Sequence, residues 1–271
     1  MIRMPPSTRA VVRGAGDVAT AVGRRLHRIG MRVIMTEIEQ PLCVRRHAAF
    51  AEALHESSVT VEGVEARRTT LEEIRDGAPA AGGVAVIAAP DIESVLELAP
   101  DVLIDARMLK TNPDTRIDQA AIVGALGPGY EAGRDCHFVV ETCRGHDLGR
   151  VIERGTAMAD TGRPATRGGA SIDRVLYSRC AGRVEPRAPI GARVQPGDVI
   201  LEIAGVPHET KIAGVVRGVL REGTAVDERI KVADVDPLGT PEQCRTISDR
   251  ANAIAGGVLE GVLSTWRRIE A

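Results

Sequence analysis

The sequence predicts an α/β protein: a Rossmann-like domain with a parallel sheet, then a small duplicated β barrel and a C-terminal helix. Three observations predict it. Apolar strand-like runs alternate with helical patterns in the first half of the 271 residues. A Gly-rich segment near the end repeats itself, and an amphipathic pattern follows Ser248. We therefore predict a nucleotide-binding domain over 1–168, a β module over 178–236 and a helix over 241–271 that packs back on the first domain.

The first βαβ unit carries a glycine fingerprint. An apolar strand at 10–13 leads into a glycine turn, a helical pattern ending at Gly30, a second strand at 32–36 and an acid. This order matches the dinucleotide motif, in which glycines admit a phosphate, the helix N-terminus offers free N–H groups and the acid binds ribose. The predicted site consists of Gly14, Ala15, Gly16, Asp17, Val18, Ala19 and Glu37. The alternative is a tight strand-to-helix turn without a ligand. The charge of Asp17 disfavours a pyrophosphate unless its side chain points away or caps the helix.

Further polar residues follow predicted strands at 84–89, 101–105 and 137–141. Because parallel strands deliver their carboxyl ends to one edge, these residues are expected to converge on the glycine turn. The predicted ligand-binding residues are Asp105, Arg107, Gly127, Gly129, Arg144 and Gly145, and the predicted catalytic residues are Glu141 and His146. Arg144 would clamp a phosphate, Glu141 would act as a base and His146 would transfer a proton. The alternatives are structural: an Asp105–Arg107 pair, Glu141 bound to Arg144, Arg144 bonding loop carbonyls, and His146 capping a helix.

The β module is predicted from an internal repeat with an offset of 32 residues. Gly182, Gly191 and Val194 align with Gly214, Gly223 and Val226. Such a duplicated hairpin resembles the barrel-sandwich hybrid of biotinyl and lipoyl domains, in which each half needs its copy to bury its apolar face. The tip between the halves, at 205–207, has no lysine, so we expect no attached prosthetic group.

The C-terminal helix is predicted to begin at Ser248 and to present an apolar face. Adjacent glycines at 256 and 257 are costly in a helix and therefore indicate close packing against another backbone. We expect this helix to return to the first sheet. A homodimer formed through it is the alternative.

Composition excludes several classes of function. The net charge of −2 gives no basis for binding nucleic acid or an anionic membrane. No apolar run is long enough for a membrane span. The five cysteines are scattered, without a Cys-x-x-Cys pair, which favours a reducing cytoplasm and gives no zinc site. We predict a cytoplasmic protein without a metal site.

Several short runs together resemble one family. They are Arg13-Gly-Ala-Gly-Asp-Val-Ala-Thr20, Met35-Thr-Glu37 with Pro41 and Val44-Arg-Arg46, Gly127-Pro-Gly129, Val140-Glu-Thr-Cys-Arg-Gly-His146, Asp234-Val-Asp-Pro237 and Ile254-Ala-Gly-Gly-Val-Leu259. The family is that of the selenium-dependent molybdenum hydroxylase system proteins. The resemblance implies an accessory protein for maturation of a molybdenum hydroxylase, with the hydroxylase apoenzyme as partner and a NAD-like dinucleotide or the molybdenum cofactor as ligand. A stand-alone NAD-dependent oxidoreductase and a sensor of nucleotide state stay open as alternatives.

Overall fold

The computed structural model describes residues 8–77, 82–160, 162, 168–169 and 172–270. These residues form two units. Unit 1 comprises the described residues up to Glu39, from Phe50 to Asp160 and from Ile247 onward. Unit 2 comprises Gln40–Ala49 and the described residues between Asp160 and Ile247.

Unit 1 is built on a nine-stranded sheet with helices on both faces. The sheet order is β10-β9-β7-β6-β1-β2-β5-β4-β3, and a separate two-stranded sheet pairs β8 with β11. The strands are β1 (Arg9–Arg13), β2 (Arg32–Glu37), β3 (Ser58–Val61), β4 (Val64–Arg68), β5 (Val84–Ala88), β6 (Val102–Asp105), β7 (Ile122–Leu126), β8 (Glu131–Ala132), β9 (Phe138–Val140), β10 (Val151–Ile152) and β11 (Gly155–Thr156). The helices are α1 (Asp17–Arg28), α2 (Ala53–Glu56), α3 (Leu71–Arg75), α4 (Ile92–Glu97) and α5 (Asp249–Ile269).

The central strands are short apolar runs because both of their faces are covered. In β1, four of the five residues are buried, and β7 is buried throughout. One face carries Val11, Leu103 and Val123 against apolar residues of α3 and α4. The other face is covered by α1 and α5.

Small residues let α5 approach the sheet closely. A Cβ on Gly257 would overlap the carbonyl oxygen of Gly149 and lie 2.8 Å from a methyl of Val140. A Cβ on Gly261 would lie 2.5 Å from the ring of Phe138. The close backbone approach expected from the adjacent glycines is therefore found at Gly257. Ser248 caps the helix, since its hydroxyl accepts a hydrogen bond from Ala251 N–H at 3.1 Å.

Unit 2 contains two four-stranded antiparallel sheets. Their orders are β12-β19-β17-β14 and β16-β15-β13-β18. The strands are β12 (Val175–Tyr177), β13 (Gly182–Pro186), β14 (Arg193–Val194), β15 (Val199–Ile203), β16 (Val206–Glu209), β17 (Gly214–Val219), β18 (Ala225–Val226) and β19 (Lys231–Asp236). The repeat is visible in the strands: β13, β14 and β15 correspond to β17, β18 and β19. The copies exchange partners, because β13 pairs with β18 and β14 pairs with β17.

Two parts of the predicted fold class are wrong. The sheet of unit 1 is mixed rather than parallel: seven central strands are parallel, but β3 and β10 pair antiparallel at the two edges. β10 has only two residues, too few for a periodic pattern. The β3–β4 hairpin did carry a local signal that the prediction missed, because Glu62 and Gly63 form a two-residue turn with positive φ angles. In unit 2 the repeat strands are divided between two antiparallel sheets, and the expected barrel-sandwich arrangement is not shown. A repeat fixes where strands occur, but it does not fix which strands pair.

Candidate functional site

The glycine turn after β1 is held from both sides. Gly14 has φ +98°, and a Cβ there would lie 3.1 Å from the carbonyl oxygen of Ala106. The N–H of Ala15 donates to Oε2 of Glu37 at 2.9 Å, and Oε1 of Glu37 accepts the N–H of Ile38 at 2.9 Å. The structure thus brings the predicted turn and the predicted acid together. The Glu37 carboxylate binds backbone N–H groups of the protein itself.

Helices α1 and α5 begin next to each other at the carboxyl edge of the sheet. The charge of Asp17, in the first turn of α1, acts on Arg250, in the first turn of α5. Farther along, Gly256 of α5 lies against the guanidinium of Arg25 of α1. The two helices therefore run in the same direction, and both present positive dipole ends at this edge. Val18 and Ala19 are buried in the first turn of α1.

Arg250 is the cation between the two helix N-termini. Its Nε donates to the carbonyl oxygen of Thr142 at 3.0 Å. Among the residues that the structure describes, its terminal nitrogens have no hydrogen bond or ion pair. Burial lowers the pKa of the Arg250 guanidinium, and Asp17, Arg144 and Cys143 lie close enough to act on it electrostatically.

The segment from Glu141 to His146 is shaped by the Glu141 carboxylate. Its Oε1 accepts the N–H groups of Thr142 and Cys143, each at 2.7 Å, and its Oε2 accepts the N–H of Met158 at 2.8 Å. Arg144 forms a two-point ion pair with Asp249 at 2.9 and 3.1 Å. Gly145 and His146 are exposed. Glu141 therefore organises the loop that supplies Thr142 to Arg250.

On the opposite face of the same edge lies a buried ionic cluster. Arg13 and Asp105, both fully buried, end strands β1 and β6. Each lies two residues beyond a residue of the face that α3 and α4 cover, so each points to that face. Arg107 binds Asp105 at 2.6 Å, and Thr115 donates to the same oxygen at 2.6 Å. Burial raises the pKa of Asp105, but the hydrogen bonds and charge of Arg107, with Thr115 and Arg13, outweigh it and lower the pKa overall.

The cluster extends to Asp114. Arg13 binds Asp114 through two hydrogen bonds at 2.6 and 2.9 Å, and Arg107 adds a third at 2.6 Å. The hydrogen bond from Arg13 is the main reason that the pKa of Asp114 falls to about 2. Two arginines thus balance two aspartates.

Gly127 and Gly129 serve the packing of neighbouring loops. Both have positive φ angles. A Cβ on Gly127 would lie 2.6 Å from the hydroxyl of Thr142, and one on Gly129 would lie 2.8 Å from the backbone of Lys110 and Thr111. These contacts join the segments that follow β6, β7 and β9.

Sequence reasoning missed Arg13, Asp114, Tyr130, Asp249 and Arg250. Two signals were present. Arg13 is a charged residue at the end of an otherwise apolar strand. Arg250 is a cation in the first turn of a helix, where the dipole disfavours it, so a compensating role was indicated. Asp114 and Asp249 gave no local signal, because their partners lie 101 and 105 residues away.

Within the described part of the chain, no group of three or more His, Cys, Asp or Glu side chains is placed to hold a metal ion. Of the described helices, none combines the length and apolar content needed to cross a membrane.

No protein-family model matches this chain. A curated relative, the uncharacterized protein YqeB of Escherichia coli strain K12, is 41% identical over 253 residues. The match covers 93% of this chain and 47% of that protein. The chain therefore spans about half the length of the curated relative it matches.

Solved structures that are similar to this chain include aspartoacylase, desuccinylase and ectoine utilization proteins. An aspartoacylase family protein from Mesorhizobium loti is 12% identical, with 86% of each chain covered and a TM-score of 0.28. An ectoine utilization protein from Ruegeria pomeroyi is 11% identical, with 84% of this chain and 86% of that chain covered and a TM-score of 0.25. A succinylglutamate desuccinylase/aspartoacylase from Rhodobacter sphaeroides is 25% identical over 31% of this chain and 29% of its own, with a TM-score of 0.22. At these TM-scores we carry no activity over to this chain.

These findings contradict the family assigned from the motifs. The structures named above are described as aspartoacylase, desuccinylase and ectoine utilization proteins, and nothing in them indicates a selenium-dependent molybdenum hydroxylase system. The accessory role in hydroxylase maturation, the hydroxylase apoenzyme as partner, the Rossmann nucleotide-binding description and the alternative NAD-dependent oxidoreductase are contradicted with it. The assignment rested on several short runs, and runs of this length also occur in unrelated proteins.

Proposed function

We propose that unit 1 is a ligand-binding domain that takes a small phosphate-bearing molecule at the carboxyl edge of its sheet. The position and the bonding of Arg250 support this proposal most. Its terminal nitrogens are uncommitted among the described residues, and it lies where two helices begin side by side.

The electrostatics of this position favour an anion. Arg144 and Arg250 are balanced by Asp249 and Asp17. Each helix N-terminus adds the equivalent of roughly half a positive charge, and the N–H groups of its first turn point toward this edge. A phosphate would accept from these N–H groups and from the Arg250 fork, since a guanidinium matches phosphate with two parallel hydrogen bonds.

The two cofactors predicted from the sequence, a NAD-like dinucleotide and the molybdenum cofactor, both belong to this phosphate-bearing class. In this proposal Gly14, Ala15 and Gly16 keep the turn open toward the phosphate, and Glu37 holds the turn in place through Ala15. Gly145 and His146, exposed beside Arg144, would contact the remainder of the ligand. We also propose a cytoplasmic location, because the five cysteines, all within the described residues, form no disulfide bond.

Thermal unfolding with phosphate, ADP and NAD as probes tests the proposal. A ligand present at about 100 times its Kd stabilises the folded state by about 2.7 kcal/mol. For a chain of this size that raises the Tm by roughly 5–10 °C. Arg250→Ala is expected to remove most of this rise, whereas Arg267→Ala, at an exposed position of the same helix, is expected to keep it. The proposal fails if no probe raises the wild-type Tm, or if Arg250→Ala responds as the wild type does.

A further inference from the structure

The ionic cluster lies on the face of the unit 1 sheet that α3 and α4 cover. In it, two arginines hold the carboxylate of Asp114 in the way that arginines hold a bound carboxylate ligand. Asp114 accepts two parallel hydrogen bonds from Arg13, at 2.6 and 2.9 Å, and a third from Arg107 at 2.6 Å. Two-point binding of this kind is the geometry by which arginine recognises free carboxylates.

The two sides of this contact differ in how they are fixed. Arg13 ends a central strand, is fully buried and also donates to the carbonyl oxygen of Pro90 at 3.1 Å. Arg107 is anchored on the buried Asp105. Asp114 instead comes from the irregular segment between β6 and β7, and 28% of its side chain is exposed, against 19% for Arg107 and none for Arg13. The two arginines, Arg13 and Arg107, which we call the clamp, are fixed by the sheet. Asp114, which they bind, comes from a partly exposed segment.

Next to the clamp lies a buried hydroxyl without a well-formed hydrogen bond. Tyr130 is 1% exposed, and among the described residues its hydroxyl has no partner at normal hydrogen-bond geometry. Asp105 and Arg107 lie close enough to interact with this hydroxyl, but neither forms a hydrogen bond of normal geometry with it. An unsatisfied buried hydroxyl is costly, so its presence beside the clamp indicates that a further polar atom belongs there.

We propose that Arg13 and Arg107 form a second ligand site, for a small monocarboxylate with a hydroxyl or carbonyl oxygen next to the carboxylate, and that Asp114 occupies this site as an internal ligand. The entering carboxylate replaces Asp114 in the clamp, and its second oxygen function bonds to Tyr130. Charge selects a monocarboxylate over a phosphate dianion. One carboxylate replacing another keeps the cluster neutral, whereas a dianion would leave a buried excess charge.

The first test titrates wild-type protein with lactate while the backbone amides of Asp114 and Thr115 are followed by NMR. Both amides now donate to Asn112, at 3.2 and 2.8 Å, so release of Asp114 changes their environment. We expect saturable shifts confined to this cluster. The absence of a saturable response at concentrations up to tens of millimolar would overturn the proposal.

The second test removes the internal competitor. Asp114→Asn is expected to bind lactate about tenfold more tightly than the wild type by calorimetry, because occupancy by Asp114 lowers the apparent affinity. Asp118→Asn, four residues away and exposed, is the matched control and should bind as the wild type does. Equal affinity in Asp114→Asn and wild type would show that Asp114 does not occupy the ligand site, and would overturn the proposal.

The third test asks whether Tyr130 takes part in binding, or whether a carboxylate only replaces Asp114 in its ion pairs with the two arginines. Tyr130→Phe keeps the fold, since among the described residues the hydroxyl has no hydrogen bond of normal geometry to lose. Wild type should prefer lactate over propionate, and Tyr130→Phe should bind the two equally. An unchanged preference in Tyr130→Phe contradicts the site. Arg250→Ala should leave lactate binding intact, so this inference and the proposed phosphate site can fail independently.

Discussion

Carboxylates at the carboxyl edge of unit 1 bind the protein's own backbone. Glu37 accepts N–H groups from the glycine turn and from Ile38, and Glu141 accepts three from its own loop and from Met158. In both cases an acid at the carboxyl edge of the sheet fixes a loop: Glu37, at the end of β2, holds the glycine turn after β1, and Glu141 holds the loop after β9. Each loop then positions something else: Ala15 precedes the α1 N-terminus, and Thr142 holds Arg250.

Replacing Glu141 with glutamine should therefore destabilise unit 1. The amide keeps one acceptor oxygen but points an NH₂ group at an N–H donor, so at least one buried donor loses its partner. We expect a loss of between about 1 and 3 kcal/mol in the free energy of unfolding. Urea unfolding measures it. Glu153→Gln is the control, since Glu153 is half exposed and its ion pair with Arg268 lies on the surface. Equal stability of Glu141→Gln and wild type would contradict the positioning role.

Asp114 should make stability depend on pH in a narrow acid range. Its pKa falls to about 2 in the folded chain, chiefly because Arg13 donates to it, whereas an unfolded aspartate titrates near ~3.9. A lowered folded pKa means that the stabilisation is complete above about pH 4 and is lost as the pH falls toward 2. The stability difference between wild type and Asp114→Asn should therefore be constant near neutral pH and shrink below about pH 4. Asp118→Asn should show no such change, and a constant difference down to pH 2 would refute the assignment.

At the scale of elements, we expect alanine substitutions at two neighbouring glycines of α5 to have opposite effects on stability. A Cβ on Gly257 would overlap the carbonyl oxygen of Gly149, which is backbone and cannot move aside. A Cβ on Gly256 would meet only the end of the flexible Arg25 side chain, at 3.0 Å. We expect Gly257→Ala to cost more than about 3 kcal/mol by overpacking. Gly256→Ala should be neutral or should stabilise by up to about 1 kcal/mol through helix propensity. Thermal and urea unfolding of the two variants decide this, and equal effects would contradict the packing of α5 on the sheet.

Local pattern predicted where elements occur better than how they pair. The runs at 10–13, 84–89 and 137–141 match strands β1, β5 and β9 to within one residue at each end, because apolar runs of this length fit a sheet covered on both faces. Ser248 also indicated the start of α5 from local sequence alone. Its hydroxyl accepts a hydrogen bond from the backbone N–H of Ala251, only three residues away. The exchanged pairing of the repeat depends instead on partner strands in the other copy, which are farther away in sequence. Nothing in a window of ten residues specifies them.

At the scale of the whole molecule, the contacts of the candidate site fall into two groups: those within one βαβ unit could be predicted from the sequence, and those between distant segments could not. Glycine spacing and the acid at the end of β2 predicted that the glycine turn and Glu37 belong to one site, and the structure places them in contact through Ala15, 22 residues from Glu37. The motif could be found because one βαβ unit contains all of it. Arg250 reaches Thr142 across 108 residues, and the clamp joins Arg13 to Asp114 across 101. These contacts exist only once the sheet has ordered its strands and the chain has returned to unit 1 after unit 2.

Helix α5 belongs to unit 1 although it follows unit 2 in the chain, so removing the C-terminal segment should affect unit 1. A chain ending at Thr246 lacks α5, which buries Ile254, Val258 and Val262 against α1 and the sheet. Burying such a side chain is worth about 1.5–3 kcal/mol, so the loss approaches the whole stability of a domain. Hydrogen exchange should then show the amides of β1 and β9 unprotected, while those of β15 and β17, whose chain segments are intact, keep protection. A chain ending at Ile269 is the control and should match the full-length protein. If β1 and β9 keep full protection without residues 247–271, α5 does not complete the core of unit 1, and the helix N-terminus that carries Arg250 cannot be part of a rigid site.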